Sequence, residues 1–170
     1  MAKEVLERLQ KKFPQDVLGT HSMHGDDTAV LPRTALTAIC TWLKESPDMD
    51  FAMLTDLTAV DYQGMKPQVR VASPGAEKVR QDGKKPRFEV VYHLLSLGKG
   101  WRLRLKVPVD AEDPVVPSVV HLWKSANWME REAWDLYGIR FEGHPDLRRI
   151  LLYEEFVGHP LRKDYPQKKR

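Results

Sequence analysis

Phe88-Glu89-Val90-Val91-Tyr92-His93-Leu94-Leu95-Ser96-Leu97, then Gly98-Lys99-Gly100, then Trp101-Arg102-Leu103-Arg104-Leu105-Lys106-Val107 is the stretch that decides the fold class. From Trp101 onward apolar residues alternate with Arg102, Arg104 and Lys106. That period of two belongs to a strand with one buried face and one wet face. Phe88–Leu97 is apolar and rich in β-branched and aromatic residues, as a strand requires, and the Gly-Lys-Gly spacer reads as a hairpin turn.

Upstream, Phe51–Asp61 carries a similar density of apolar and β-branched residues and reads as a buried strand. Between it and the hairpin, Gln63–Arg87 changes character, with prolines, glycines and many charges, and reads as a long exposed loop. Leu36, Ile39, Cys40 and Leu43 fall at the 0, 3, 4, 7 spacing of a core-facing helix, with Pro32 near its start and Pro47 at its end. Leu6, Leu9 and Phe13 give Ala2–Phe13 the stripe of a short amphipathic helix. Pro14 and Gly19–Asp27 break the pattern, leaving Val17-Leu18 and Thr28–Leu31 as short strands.

Downstream, Pro114 and Pro117 introduce a short third helix through Trp123. A fourth begins near Asn127, with Glu130 three residues on to complete a capping box and Gly138 as its stop. Met129, Ala133, Leu136 and Tyr137 form its apolar face. The expected architecture is α+β: a mixed or antiparallel sheet with helices on one face over residues 1–138, then an extended tail over 139–170. Ile150, Leu151, Leu152, Tyr153 and Phe156 make that tail too apolar for water alone, the mark of a surface covered by another protein.

Composition narrows the function. With 170 residues, 42% hydrophobic and 30% charged, the chain suits one globular domain. No stretch approaches the roughly 18 apolar residues of a membrane span, and Met1–Phe13 lacks the apolar core of a secretory signal. These features predict a cytosolic protein that reaches a membrane only through partners. The single cysteine, Cys40, cannot make an internal disulfide or by itself hold an iron–sulfur cluster, and its place on a helix stripe favours core packing. The net charge of +3 comes from the tail, where eight basic residues from Arg140 to Arg170 face five acidic ones. Such a tail suits nucleic acid, an acidic membrane or an acidic protein groove.

Motifs for chemistry are sparse. There is no GxGxxG, P-loop, HExxH or CxxC. Gly143-His144-Pro145-Asp146 and Gly158-His159-Pro160 put histidines in turns, and with Asp146, Glu142 or Glu155 they suggest a metal site. The spacing matches no strong metal motif, and a Gly-His-Pro turn is an ordinary bend. His144-Pro145-Asp146 also matches a J-domain loop, but no second long helix follows. In Glu130-Arg131-Glu132-Ala133-Trp134-Asp135, Arg131 and Asp135 share a helix face. Trp128, Trp134 and Tyr137 among these charges favour an interface over a solvated face. Glu130 and Glu132, two apart, point in different directions and do not form an acid–base pair.

Ala126-Asn127-Trp128-Met129-Glu130-Arg131-Glu132-Ala133-Trp134-Asp135-Leu136-Tyr137-Gly138-Ile139 closely resembles the signature of the C-subunit family of respiratory complex I, the NADH:quinone oxidoreductase. Phe141–Leu151 and Gly158–Pro166 continue the match, and Leu57–Tyr62 and Val90–Ser96 also look like that family. The Gln63–Arg87 stretch departs from it, being longer and more polar than the usual connection.

The resemblance implies a non-catalytic scaffold subunit of a proton-translocating enzyme. It would lie peripherally at the cytoplasmic face of the inner membrane, beside a D-type quinone-site subunit and adjacent iron–sulfur subunits, with no nucleic acid partner. FMN, iron–sulfur clusters and quinone would belong to those partners and no cofactor to this chain. Trp128, Glu130, Arg131, Glu132, Asp135, His144, Asp146, Arg148, Arg149, His159, Arg162, Lys163 and Asp164 are the residues expected to make the partner interface or pin the tail. The same module in a ferredoxin- or deazaflavin-linked dehydrogenase or a membrane-bound hydrogenase is the near alternative. A small hydrolase using His144, His159 and Asp146 is the remote one.

Overall fold

The alternating stretch builds the middle of a five-stranded sheet. The computed structural model describes residues 3–23, 25–65 and 86–166. In it β4 (Phe88–Ser96) and β5 (Trp101–Val109) pair antiparallel, Phe88 opposite Val109 and Ser96 opposite Trp101. Gly100 closes the turn between them at φ +63°, a conformation natural to glycine. An N-terminal hairpin, β1 (Gly19–Met23) and β2 (Asp26–Val30), adds on one side, with β2 parallel to β5. β3 (Met53–Asp61) adds on the other, giving the order β1-β2-β5-β4-β3.

One face of this sheet carries Phe88, Val90, Tyr92 and Leu94 of β4 and Leu103, Leu105, Val107 and Val109 of β5. All are buried in the same core as Val5, Leu6 and Leu9 of α1 (Lys3–Lys12) and Leu36, Ile39, Cys40 and Leu43 of α2 (Leu36–Glu45). Ala126 and Ala133 of α3 (Ala126–Tyr137) join them. The opposite face is polar. His21, Thr28, Arg104, His93 and Asp56 stand in register across all five strands. Arg104 pairs there with Asp26 at 2.7 Å, and Lys106 with Glu89 at 3.4 Å.

Several sequence expectations are corrected. Gly19–Asp27 is no break but most of the β1–β2 hairpin. Leu18 instead contributes an N–H bond to the Val30 carbonyl at 2.9 Å. β3 is an edge strand rather than a buried one, with Met53 45% exposed while Leu54, Leu57 and Ala59 face the core. No helix runs from Pro117 to Trp123. Val115–Pro117 is a short strand, β6, followed by turns. The run of valines there favours extended backbone and buries Val116, Val119 and Val120.

β6 pairs parallel with β7 (Arg140–Glu142), which places Ile139 and Phe141 in the core. The body of the domain therefore continues past residue 138, and the segment without helix or strand starts at 143. Most of the expected 63–87 loop lies outside the described residues. Its last residue, Arg87, is not exposed: its side chain keeps only 17% of its surface.

Candidate functional site: the third helix and the strap it anchors

Helix α3 buries charged side chains beside its apolar ones: Met129 and Tyr137 pack against the core around Ala133, as the spacing predicts. Its buried members are Ala126, Glu130, Arg131, Ala133 and Asp135, while Trp128 is 62% exposed. The expected capping box is absent. Ser125 occupies the N-cap without capping it, its hydroxyl donating instead to Leu54 O at 3.2 Å, and Asn127 lies inside the helix. Glu130 instead turns inward, accepting the Ser118 hydroxyl at 2.6 Å and the Val119 N–H at 2.7 Å. It forms no ion pair among the described residues, and burial pushes its carboxyl up to about 7 despite both donors. Folding therefore favours the protonated form. Stability contributed by that form is full below the ordinary value of about 4.5 and falls as pH rises toward 7. The swing is about 3 kcal/mol. Glu130→Gln, which donates to Ser118 Oγ and accepts from Val119, is expected to flatten the decline in urea midpoint between pH 4.5 and 7. Unchanged slopes in the two proteins would exclude a neutral Glu130.

Asp135, fully buried, organises the segment that follows β7, residues 143–166, called the strap. Its Oδ2 accepts three successive backbone N–H groups, from Ile150 at 3.0 Å, Leu151 at 2.9 Å and Leu152 at 3.0 Å. Its Oδ1 takes the Arg149 guanidinium at 2.5 Å. Burial alone would raise this carboxyl. The Leu152 N–H, Arg149 and the N–H groups of Ile150 and Leu151 outweigh it and hold the group below the usual carboxylate range. Arg149 also donates to the carbonyls of Phe156 at 2.7 Å and Gly158 at 3.2 Å, so one ion pair fixes two parts of the strap.

The strap in turn caps the C-terminus of α3, whose last carbonyls have no partner within the helix. Gly138, in the left-handed region at φ +72°, bonds back to Trp134 O. The Nδ1–H of His159 donates to Asp135 O at 2.9 Å, Leu161 N–H to Leu136 O at 3.1 Å and Arg162 Nε to Tyr137 O at 2.5 Å. Burial, reinforced by Arg162 and Arg149, lowers the His159 pKa against the pull of the Asp135 carbonyl, which suits a neutral ring. Gly138 leaves no room for a side chain. A Cβ there would lie 2.5 Å from Arg162 Nη2 and 2.5 Å from His159 Cδ2.

A second carboxylate, absent from the sequence expectations, holds the far end. Asp61, buried at the end of β3, accepts Gln63 N–H at 2.9 Å, Lys163 N–H at 2.9 Å and two nitrogens of Arg87 at 3.0 and 2.7 Å. Arg87 bridges on to Asp164 at 2.7 Å. The available signal was an acidic residue at an inward-facing position of an apolar strand. Asp61→Ala is expected to free residues 161–166 while leaving Asp135 engaged. Faster proteolysis at Arg162 and Lys163 with unchanged cleavage at Arg149 would report it.

The remaining expected residues divide. His144 donates from Nε2 to Asn127 O at 3.1 Å and accepts Asp146 N–H on Nδ1 at 3.0 Å. Asp146 pairs with Arg148, which keeps 67% of its side-chain surface, at 2.9 Å. Glu132 and Trp128 point outward. Arg131 is buried and donates to the carbonyls of Arg148 and Arg149. Both histidine rings are thus committed to backbone. Among the described residues no group of three His, Cys, Asp or Glu side chains could hold a metal ion. Burial also raises the Cys40 thiol far above the reactive range. The arrangement has the chemistry of an anchored surface, and its outer side exposes Leu151, Tyr153, Val157 and Leu161.

Residues 29–170 match the model of the respiratory-chain NADH dehydrogenase 30 kDa subunit family. The chain belongs to that family. A family member from Coxiella burnetii, named as the C subunit of NADH-quinone oxidoreductase, is 50% identical over 151 residues, covering 82% of this chain and 66% of that one. The chain thus spans just under two thirds of that relative's length. The protein of the same name from Legionella pneumophila is 43% identical over 175 residues, covering 95% of this chain and 76% of its own. The solved trypsin-resistant fragment (1-134) of Nqo5 is similar at 35% identity and TM-score 0.64, covering 86% of this chain and 98% of that one. A chain of an archaeal membrane-bound sulfane sulfur reductase matches with TM-score 0.69 at 22% identity, over 98% of this chain and 86% of its own, a likeness of fold alone.

Proposed function

We propose that this 30 kDa-family chain is a non-catalytic scaffold subunit in the hydrophilic arm of a proton-translocating NADH:quinone oxidoreductase. It supports the quinone-reducing module by docking against a D-type quinone-site subunit and neighbouring iron–sulfur subunits. The observation that carries this reading is the strap itself. Asp135 with Arg149 and Asp61 with Arg87 anchor it to the domain, yet Trp128, Leu151, Tyr153, Val157 and Leu161 stand 45–85% exposed along α3 and the strap. Large apolar side chains held outward by a rigid polar base are what a partner covers.

Electron transfer, with FMN, clusters and quinone, is assigned to those partners. Through them the chain would sit at the cytoplasmic face of the inner membrane, and no helix of the described residues is long and apolar enough to cross a membrane. The names of the relatives support only the coarser reading, a subunit of NADH-quinone oxidoreductase.

Tagged chain purified from its native membranes is expected to bring down a quinone-site subunit, iron–sulfur subunits and NADH:quinone activity. Recovery alone, as a soluble monomer, would overturn the scaffold reading. Two neighbouring arginines sharpen the test. Arg149→Ala, which unpairs buried Asp135, is expected to weaken both the isolated fold and assembly. Exposed Arg148→Ala is expected to lower only the yield of complex, with turnover per assembled complex unchanged. Slowed turnover in a fully assembled Arg148→Ala complex would count against a purely structural role.

A further inference from the structure

Arg131 is the anomaly of the strap region. It is 8% exposed, yet forms no ion pair among the described residues, where the less deeply buried Arg149 and Arg87 each hold a carboxylate. Its Nε and Nη2 meet only the carbonyls of Arg148 at 3.1 Å and Arg149 at 3.0 Å. Its Nη1 has no acceptor among the described residues and is not sealed from solvent. The guanidinium stacks on the Trp128 ring at 5.1 Å, and that ring is the exposed one, at 62%. The Trp128 indole N–H likewise meets no acceptor among the described residues. Arg148 spends Nε on Asp146 and leaves its other nitrogens in solvent. Leu151, 62% exposed, lies two residues beyond the carbonyl that Arg131 grips.

These groups offer hydrogen-bond donors and an apolar rim, with one charge that no carboxylate among the described residues neutralises. In the free chain, water at the rim and two carbonyl dipoles make that tolerable. A protein laid over Trp128 would strip the water, and a desolvated guanidinium without an anion is costly. A guanidinium fork stacked on indole, with nitrogens to spare, is matched by a carboxylate. We propose that Trp128, Arg131 and Arg148 form a receptor for an aspartate or glutamate side chain of a partner protein, flanked there by an apolar residue that packs on Trp128 and Leu151. The inference rests on the docking role proposed above and names the chemistry of the partner at its α3 end.

The test places the photocrosslinking residue p-benzoylphenylalanine at Trp128 and, in a second variant, at Val157, 85% exposed. Both sites point outward, so the fold is retained. Each full-length variant is illuminated in native membranes and its adducts are mapped by mass spectrometry. The expected adduct at Trp128 is a protein segment in which Asp or Glu flanks the point of attachment. Arg148→Glu should then reduce recovery of the complex about thirtyfold, the scale of a hot-spot loss, and exchange of that acid for lysine should restore it. A segment without an acid, a lipid adduct, or no adduct at Trp128 while Val157 crosslinks would overturn the inference and leave the docking role standing. Absence of adducts at both sites would overturn the docking role and the inference together.

Discussion

Asp135→Ala is expected to release the strap and to cost about 3–5 kcal/mol, the range for breaking a buried ion pair by removing one partner. The change leaves Arg149 buried without an anion. It also deprives the N–H groups of Ile150, Leu151 and Leu152 of their common acceptor. Urea unfolding checks the magnitude, and limited trypsin digestion checks the location, with new cleavage at Arg148 and Arg149. Asp135→Asn should lie between the two, since the amide keeps one accepting oxygen but no charge for Arg149. The pH dependence has the opposite sign to that of Glu130. A carboxyl held below its usual value contributes stability above the ordinary pKa and loses it as pH falls through the depressed one. The wild-type chain is thus expected to lose this contribution only in strong acid, and Asp135→Ala to lack that acid limb. Intact trypsin resistance in Asp135→Ala would show that the strap is held by something else.

Gly138→Ala is expected to be the next most damaging change, although it adds one methyl group. The left-handed conformation costs an alanine roughly 1–2 kcal/mol. Its Cβ would also meet Arg162 and His159 at 2.5 Å, so the two caps on the helix end must move. Losing them adds roughly 1 kcal/mol each. Gly143→Ala is the control, because it shares a positive φ of +82° but has nothing within 4 Å of the new Cβ. It should cost roughly 1–2 kcal/mol, the conformational part alone. Equal losses at the two glycines would mean that the seat of His159 and Arg162 contributes nothing.

The sheet was legible because alternation in Trp101–Val109 and the α2 stripe are local periodicities that survive in any tertiary context. The β1–β2 hairpin was not, since Gly19–Met23 carries neither alternation nor β-branched density and is held by pairing alone. The valines of Val115–Val120 were misread as a helix because two prolines suggested a helix start. Their true partner, β7, lies more than twenty residues on, beyond the reach of a local pattern. For the site, the charged residues of α3 and the strap were found as a group. Their inward orientation was not. Hydrophobic spacing located the core-facing side of this helix but could not show that Glu130, Arg131 and Asp135 turn inward while Trp128 stays exposed; only their partners explain that: Ser118, the strap carbonyls and Arg149. Asp61 and Arg87 were missed because each looked like an end of something, a strand and a loop, rather than two halves of one clamp.

That clamp has a further consequence for the connection it closes. Tyr62 N–H bonds to Arg87 O at 2.9 Å, and Asp61 joins the Arg87 side chain just beneath, so the two ends of the connection between β3 and β4 are clamped together. Doubling the length of a flexible connection costs only about 0.6 kcal/mol of closure entropy. A change in the length of this connection is therefore expected to leave the bonds that close it, Tyr62 to Arg87 and Asp61 to Arg87, in place.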